Sequence, residues 1–137
     1  MPSIKYSRQR EAIKRFLQSR RDHPTAEVVY SAVRNEFPNI SLGTVYRNLT
    51  LLADLHEIAR LRPGDGVDHF DYDTSAHPHF ICRECGSVSD LKTPGFSPNS
   101  LTGTEIDGNL ITDSVSYFYG LCAACRNRRL RCSREGL

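Results

Sequence analysis

The sequence predicts an α+β chain in two parts: a basic, helical first half ending in a β-hairpin, and a second half closed by paired cysteines. Three observations carry that prediction. Apolar residues recur at helical spacing in three successive segments before position 56. The run EIARLRPGDGVDHFDYD has strand character on both sides of a turn signal. Two C-x2-C pairs, Cys82/Cys85 and Cys122/Cys125, bracket much of what remains.

SRQREAIKRFLQSR sets Ile13, Phe16 and Leu17 at i, i+3 and i+4, an amphipathic helix with a basic outer face. In DHPTAEVVYSAVRNEF the chain restarts. Pro24 predicts an extended His23, Thr25 is placed to cap, and Val29, Val33 and Phe37 repeat on one face until Pro38 ends the helix. SLGTVYRNLTLLADL then offers Ser41 as N-cap and Val45, Leu49 and Leu52 as the buried stripe, leaving Thr44, Arg47 and Asn48 outward and Tyr46 near the edge.

The hairpin follows, with Arg60 and Arg62 on one face of its first strand, PGDG as the turn, and Val67 to Tyr72 as the return strand. Three short helices and then a hairpin is the order of a winged helix-turn-helix. Its third helix would enter a DNA major groove, with Arg47 able to pair with guanine O6 and N7 while the wing arginines meet phosphate. The bland reading of these charges is a solvated helical surface, but it leaves the helix order and the basic hairpin unexplained. One winged helix offers a small interface, so double-stranded operator DNA calls for a homodimer, and the dimer contact is expected downstream.

Charge supports the same division. Residues 1–62 carry eleven Lys or Arg against six Asp or Glu, a net +5, which suits a polyanion. Residues 63–125 carry two against nine, a net −7, which suits cations, and the tail from Arg126 returns to +4. No apolar run approaches the roughly 18 residues of a membrane span, and no export signal is legible, so a cytoplasmic protein with no membrane partner is expected. In a reducing compartment five cysteines favour metal or redox chemistry over a disulfide framework.

Each C-x2-C pair can wrap two thiolates around one ion, and the two pairs complete a tetrahedral S4 shell with sulfur about 2.3 Å from zinc. Such a shell keeps no open position, so it is structural. A lone C-x-x-C would suit redox exchange equally well, but two pairs favour Zn(II). Cys132, in the arginine-rich tail, lies outside the pattern.

The stretch HPHFICRECGSVSD adds ligands of a different kind. His77 and His79, at i and i+2, share one face of a strand; Asp90 follows Cys85 by five residues and Asp71 precedes His77 by six. Imidazole and carboxylate suit Fe(II), Mn(II) or Zn(II), whereas thiolates suit zinc, so two interleaved sites fit better than one crowded one. His56 and His69 carry no such pattern and are left unassigned, and spacing alone does not link His23 to the others.

HPTAEVVY, SLGTVYRNL, HFDYDTSAHPHFICRECG and YGLCAAC together resemble the ferric uptake regulator (Fur) family over almost the whole chain, and within it the PerR-type peroxide-sensing repressors. The resemblance implies a winged helix-turn-helix over residues 1–73, a hinge at 74–76, and a C-terminal α/β dimerisation domain over 77–137 with a basic tail. It implies a regulatory Fe(II) or Mn(II) site of His23, Asp71, His77, His79 and Asp90, and it places Lys5 near the minor groove. Asp90 is the PerR-like choice where iron-sensing members commonly carry Glu.

The implied mechanism is repression by a metal that ties the first domain to the second. Hydrogen peroxide reacting at Fe(II) would oxidise His23 or His77 and release the DNA; Mn(II) would activate but react poorly. The chain would then be a consumed sensor, not an enzyme. The alternatives are a sensor of iron, zinc or manganese within the same family and, from another class, a metal-dependent hydrolase; for the hydrolase no general base stands outside the proposed ligands. One departure from the family is visible: where a helix normally follows the first dimer-domain strands, PGFSPNSLTGTEIDGN is poor in helix formers.

Overall fold

The computed structural model describes residues 7–92, 97 and 100–135. The chain divides into two compact units, Met1–Thr74 and Ser75–Leu137.

The first unit is built on three helices, α1 (Arg8–Gln18), α2 (Ala26–Val33) and α3 (Leu42–Asp54). Each begins at a hydroxyl that caps it: Ser7 accepts from the Arg10 N–H, Thr25 from Val28 and Ser41 from Thr44. The predicted stripes form the core. Ile13, Leu17, Val29, Val33, Val45, Leu49 and Leu52 are buried together with Ile40, Ile58 and Phe70. Phe16 and Phe37 pack against this cluster from positions only partly buried. Helix α2 is shorter than expected: it ends at Val33, and Phe37 reaches the core from the turn that follows, through its N–H bond to the Val33 carbonyl at 2.9 Å.

β1 (Ala59–Leu61) and β2 (His69–Asp71) pair antiparallel, with Arg60 opposite Phe70. The return strand is also shorter than the sequence suggested. Val67 and Tyr72 are exposed and lie outside it, and residues 62–68 form an open wing loop rather than a tight turn. Gly64 and Gly66 both have positive φ there, which only glycine adopts without strain.

In the second unit β3 (His79–Cys82) is central, flanked by antiparallel β4 (Val88–Asp90) and parallel β7 (Tyr117–Gly120). A separate hairpin pairs β5 (Glu105–Ile106) with β6 (Asn109–Leu110). Its turn, Asp107-Gly108, has φ of +53° and +80°, the signature of a two-residue hairpin turn that the Asp-Gly dipeptide favours. Among the described residues between β4 and β5 there is no helix, in line with that segment's composition. The basic tail is not a loose appendage: it forms α4 (Ala123–Glu135) directly after Cys122. Among the described residues the buried apolar side chains of this unit are Ile81, Cys82, Val88 and Cys125, so half of its small core is sulfur. Among the described residues no helix is long and apolar enough to cross a membrane.

Candidate metal centres and DNA-reading surface

The second unit's sheet explains how two distant cysteine pairs meet. Cys82 ends β3 and Gly120 ends β7; the two are partners across the parallel ladder, and the Arg83 N–H bonds to the Gly120 carbonyl at 2.8 Å. From these strand ends Cys85 turns back over Gly86, whose φ is +76°, and Cys122 and Cys125 lead into the first turn of α4. The four sulfurs all lie within 4.8 Å of one another, and Cys85 Sγ to Cys122 Sγ is 3.8 Å. A disulfide needs about 2.05 Å, whereas a tetrahedron of sulfurs about 2.3 Å from zinc spaces them by about 3.8 Å.

Hydrogen bonds favour thiolate at this place. Cys82 Sγ accepts from the N–H groups of Cys85 at 3.5 Å and Cys122 at 3.4 Å, Cys122 Sγ accepts from Cys125 N–H at 3.5 Å, and the Arg128 guanidinium reaches Cys125 Sγ at 3.0 Å. The N–H donors of Cys85 and Cys122 lower the Cys82 thiol to about 6. Burial, aided by the neighbouring sulfurs, pushes Cys125 up to about 12. Cys82 and Cys125 are thus pushed in opposite directions, and a divalent cation is what would favour thiolate at all four. The donor set fits zinc. Cys132 is exposed and takes no part in this cluster.

Imidazole and carboxylate ligands form a cluster in each unit. In the first, His23 Nε2 lies 3.0 Å from Asp71 Oδ2, with both side chains buried. Asp71 also accepts the Asp73 N–H at 2.9 Å, which fixes the carboxylate's orientation. His23 is not extended, as Pro24 had suggested. Its φ is +54°, in the left-handed region, at a cost of about 1–3 kcal/mol for a residue other than glycine. The reason is tertiary: the His23 carbonyl accepts from His69 Nδ1 at 3.0 Å, and the Pro24 carbonyl accepts from the Phe70 N–H at 3.0 Å.

In the second unit His79 and Asp90 face each other across β3 and β4. Asp90 Oδ1 lies 2.8 Å from His77 Nε2 and 3.5 Å from His79 Nδ1, and the two imidazole centroids are 4.5 Å apart. His77 Nδ1 donates to the Ser75 carbonyl at 2.7 Å. That bond sets the tautomer and turns Nε2 toward the carboxylate, as metal-ligating histidines require. The two imidazoles and the carboxylate of this unit are donors of the kind that suits Fe(II), Mn(II) or Zn(II), and so, taken by themselves, are the imidazole and the carboxylate of the first unit.

The sequence pattern of the Ferric uptake regulator family matches residues 2–102. The chain belongs to that family. A curated relative, the peroxide-responsive repressor PerR of Staphylococcus aureus strain Mu50, is 34% identical over 125 residues, covering 91% of this chain and 84% of the relative. Among solved structures, the ferric uptake regulator of Francisella tularensis with iron has a TM-score of 0.71 at 21% identity, covering 92% of this chain and 97% of that one. The Campylobacter jejuni peroxide stress regulator has a TM-score of 0.65 at 23% identity, covering 85% and 88%. These two likenesses speak to the fold, which is the Fur arrangement of a helical N-terminal region followed by a sheet-bearing unit with a C-terminal helix. Fur-family membership makes this chain a metal-binding, DNA-binding regulator of transcription and not an enzyme.

The residues that the sequence assigns to DNA lie in the Fur-type first unit, apart from Lys5, which is outside the described residues. Ser41, Tyr46 and Arg47 are exposed on α3, while Thr44 and Asn48 are half-buried. Thr44 organises this face. Its N–H donates to Ser41 Oγ at 3.1 Å, its Oγ1 accepts from the Ser41 hydroxyl at 2.9 Å and from Arg47 at 3.1 Å, and its carbonyl accepts from Asn48 at 3.1 Å. Arg60 is more engaged than expected: it donates to Thr50 Oγ1 at 2.7 Å and stacks 5.9 Å from the Phe70 ring centroid.

Asp68, which no sequence pattern marks, gathers three of the residues that the sequence assigns to DNA. Its carboxylate lies 3.5 Å from Arg60 Nε and 3.4 Å from Arg62 Nε, and accepts the Tyr46 hydroxyl at 2.9 Å. That hydrogen bond raises the Tyr46 phenol above its ordinary value. His69 and Arg128 were missed as well. The available signals were His69 at i−2 from Asp71, on the same strand face, and Arg128 at i+3 from Cys125, one helical turn along.

Proposed function

We propose that this protein is a homodimeric, metal-dependent repressor that binds double-stranded operator DNA and senses hydrogen peroxide. The observation that carries the reading is the all-histidine and aspartate donor set with Asp at position 90, beside 34% identity to a peroxide-responsive repressor. His23 and Asp71 would share one Fe(II) or Mn(II) ion with His77, His79 and Asp90, so the ion would tie the DNA-reading domain, residues 1–73, across the hinge at 74–76 to the dimerisation domain, residues 77–137. Occupancy would then favour the arrangement in which both winged helices of the dimer meet successive half-sites. Metal and DNA must each raise the other's affinity by the same factor.

The residues have separable roles. Cys82, Cys85, Cys122 and Cys125 hold structural Zn(II) and supplement the small apolar core that Ile81 and Val88 supply among the described residues of the second unit. Arg47, with Ser41, Thr44, Tyr46 and Asn48, reads the major groove; Arg60 and Arg62 meet phosphate; Lys5 approaches the minor groove. Fe(II) held by these residues would lend an electron to cleave the O–O bond of hydrogen peroxide and recover it from the oxidised ring, so that peroxide and histidine give oxidised histidine and water with no net electron demand. The ring of His23 or His77 gains one oxygen atom, the other oxygen leaves as water, and the altered ring no longer donates as imidazole. Losing that ligand frees the first domain and lowers operator affinity.

A Fur-type sensor of iron, zinc or manganese whose site uses Asp90 is the second reading, favoured by the same imidazole and carboxylate chemistry. Anaerobic operator binding by the Fe(II) and Mn(II) forms, before and after peroxide, separates the two. The proposal expects release from the Fe(II) form alone; equal retention by both forms selects the metal sensor.

A further inference from the structure

β2 carries a histidine that belongs to neither ligand set. His69 is 9% exposed, and both of its ring nitrogens are engaged. Nδ1 donates to the His23 carbonyl at 3.0 Å, and Nε2 lies 3.0 Å from Asp65 Oδ2. Its backbone is joined to the same loop, because Thr25 and His69 form an isolated antiparallel bridge and the Phe70 N–H bonds to the Pro24 carbonyl. Asp65 stands in the wing loop between Gly64 and Gly66, and its other oxygen accepts the Val67 N–H at 2.9 Å. One rigid, buried ring therefore spans the peptide that presents His23 and the loop that forms the wing.

We propose that His69 is a positioning residue that couples the His23 end of the regulatory site to the wing. The coupling rests on the proposed role of His23 as a metal ligand. The His23 carbonyl and the His23 imidazole belong to one residue with a left-handed backbone, so a backbone adjustment that carried the ring to a metal would carry the carbonyl with it. The carbonyl is bonded to His69, and His69 faces the one carboxylate in the loop that also organises its turn. The flanking glycines let that loop respond without distorting the β1–β2 ladder. An aliphatic residue at 69 would fill the space and make neither bond.

The test is hydrogen exchange of the wing amides, residues 62–68, in the full-length zinc-loaded protein, with and without Mn(II) as probe, alongside a direct titration of Mn(II) affinity. In the wild type, Mn(II) is expected to slow wing exchange at least about fivefold, the low end of ordinary coupling factors. Asp65→Ala cuts the link on the wing side; it should bind Mn(II) with wild-type affinity yet show no slowing in the wing. His69→Leu should lose the wing response and also weaken Mn(II) binding. A wing response that persists unchanged in both Asp65→Ala and His69→Leu overturns the proposal. So does a His23→Ala protein with wild-type Mn(II) affinity, but that result assigns the failure to the ligand role of His23 rather than to His69.

Discussion

His23 and Asp71 meet at 3.0 Å, both buried, one at the entrance to α2 and the other at the end of the wing's return strand. Two elements of the first unit bring this buried imidazole and carboxylate together, one of them with a left-handed backbone. Under the proposed function they are half of a metal site.

Under the same proposal the other half is His77, His79 and Asp90. Asp90→Ala should reduce Mn(II) affinity by roughly 10-fold or more, since even outer-shell partners of metal ligands are worth that much. Isothermal titration with Mn(II), under conditions that leave zinc bound, reads the change. His77→Ala and His79→Ala should fall in the same class, whereas His56→Ala, on an exposed turn, should match the wild type.

Zinc removal should act on the second unit first. Stripping the metal with a strong chelator should abolish the dimer in sedimentation while the first unit, whose core of buried aliphatic side chains and Phe70 needs no metal, keeps its helical signal. Alkylation gives a second readout. Cys85 and Cys132 are both exposed, so Cys132 should react with and without zinc and Cys85 only without it. Equal reaction of Cys85 in both forms would show that it is no ligand.

Asp68 neutralises the surface proposed to read DNA. It engages Arg60, Arg62 and Tyr46 together, so Asp68→Ala should release both arginines toward phosphate. Affinity for random-sequence duplex should rise, and each added phosphate contact should steepen the plot of log K against log salt by about 0.9. An unchanged slope would mean that these arginines stay on the protein.

The stability of the first unit should depend on the α3 stripe. Leu49 is fully buried, and Leu49→Ala should cost about 2–5 kcal/mol in denaturant unfolding, against about 1 kcal/mol for loss of the Ser41 cap in Ser41→Ala.

Much of this was legible in the sequence because it is local or periodic. The stripes Ile13/Leu17, Val29/Val33 and Val45/Leu49/Leu52 follow helical spacing, and two C-x2-C pairs announce one tetrahedral shell. What escaped is set by tertiary contact. Pro24 favours an extended His23, yet bonds from β2 hold φ at +54°. His69 looked like a stray histidine because its partners, a backbone carbonyl and the Asp65 carboxylate, leave no ligand pattern. Helix α4 was hidden because its residues are polar all round, so no apolar stripe marks it. The β5–β6 hairpin was signalled only by Asp107-Gly108 in a segment otherwise read as poor in helix formers.

The most direct test of peroxide sensing is one stoichiometric addition of hydrogen peroxide to the anaerobic, zinc-loaded Fe(II) protein bound to operator DNA, followed by peptide mass analysis. The complex should dissociate and the peptide containing His23 or His77 should gain the mass of one oxygen atom, while the Mn(II) protein stays bound and unmodified. An Fe(II) protein that keeps its DNA, with both histidines unaltered, would contradict a peroxide sensor built on these ligands.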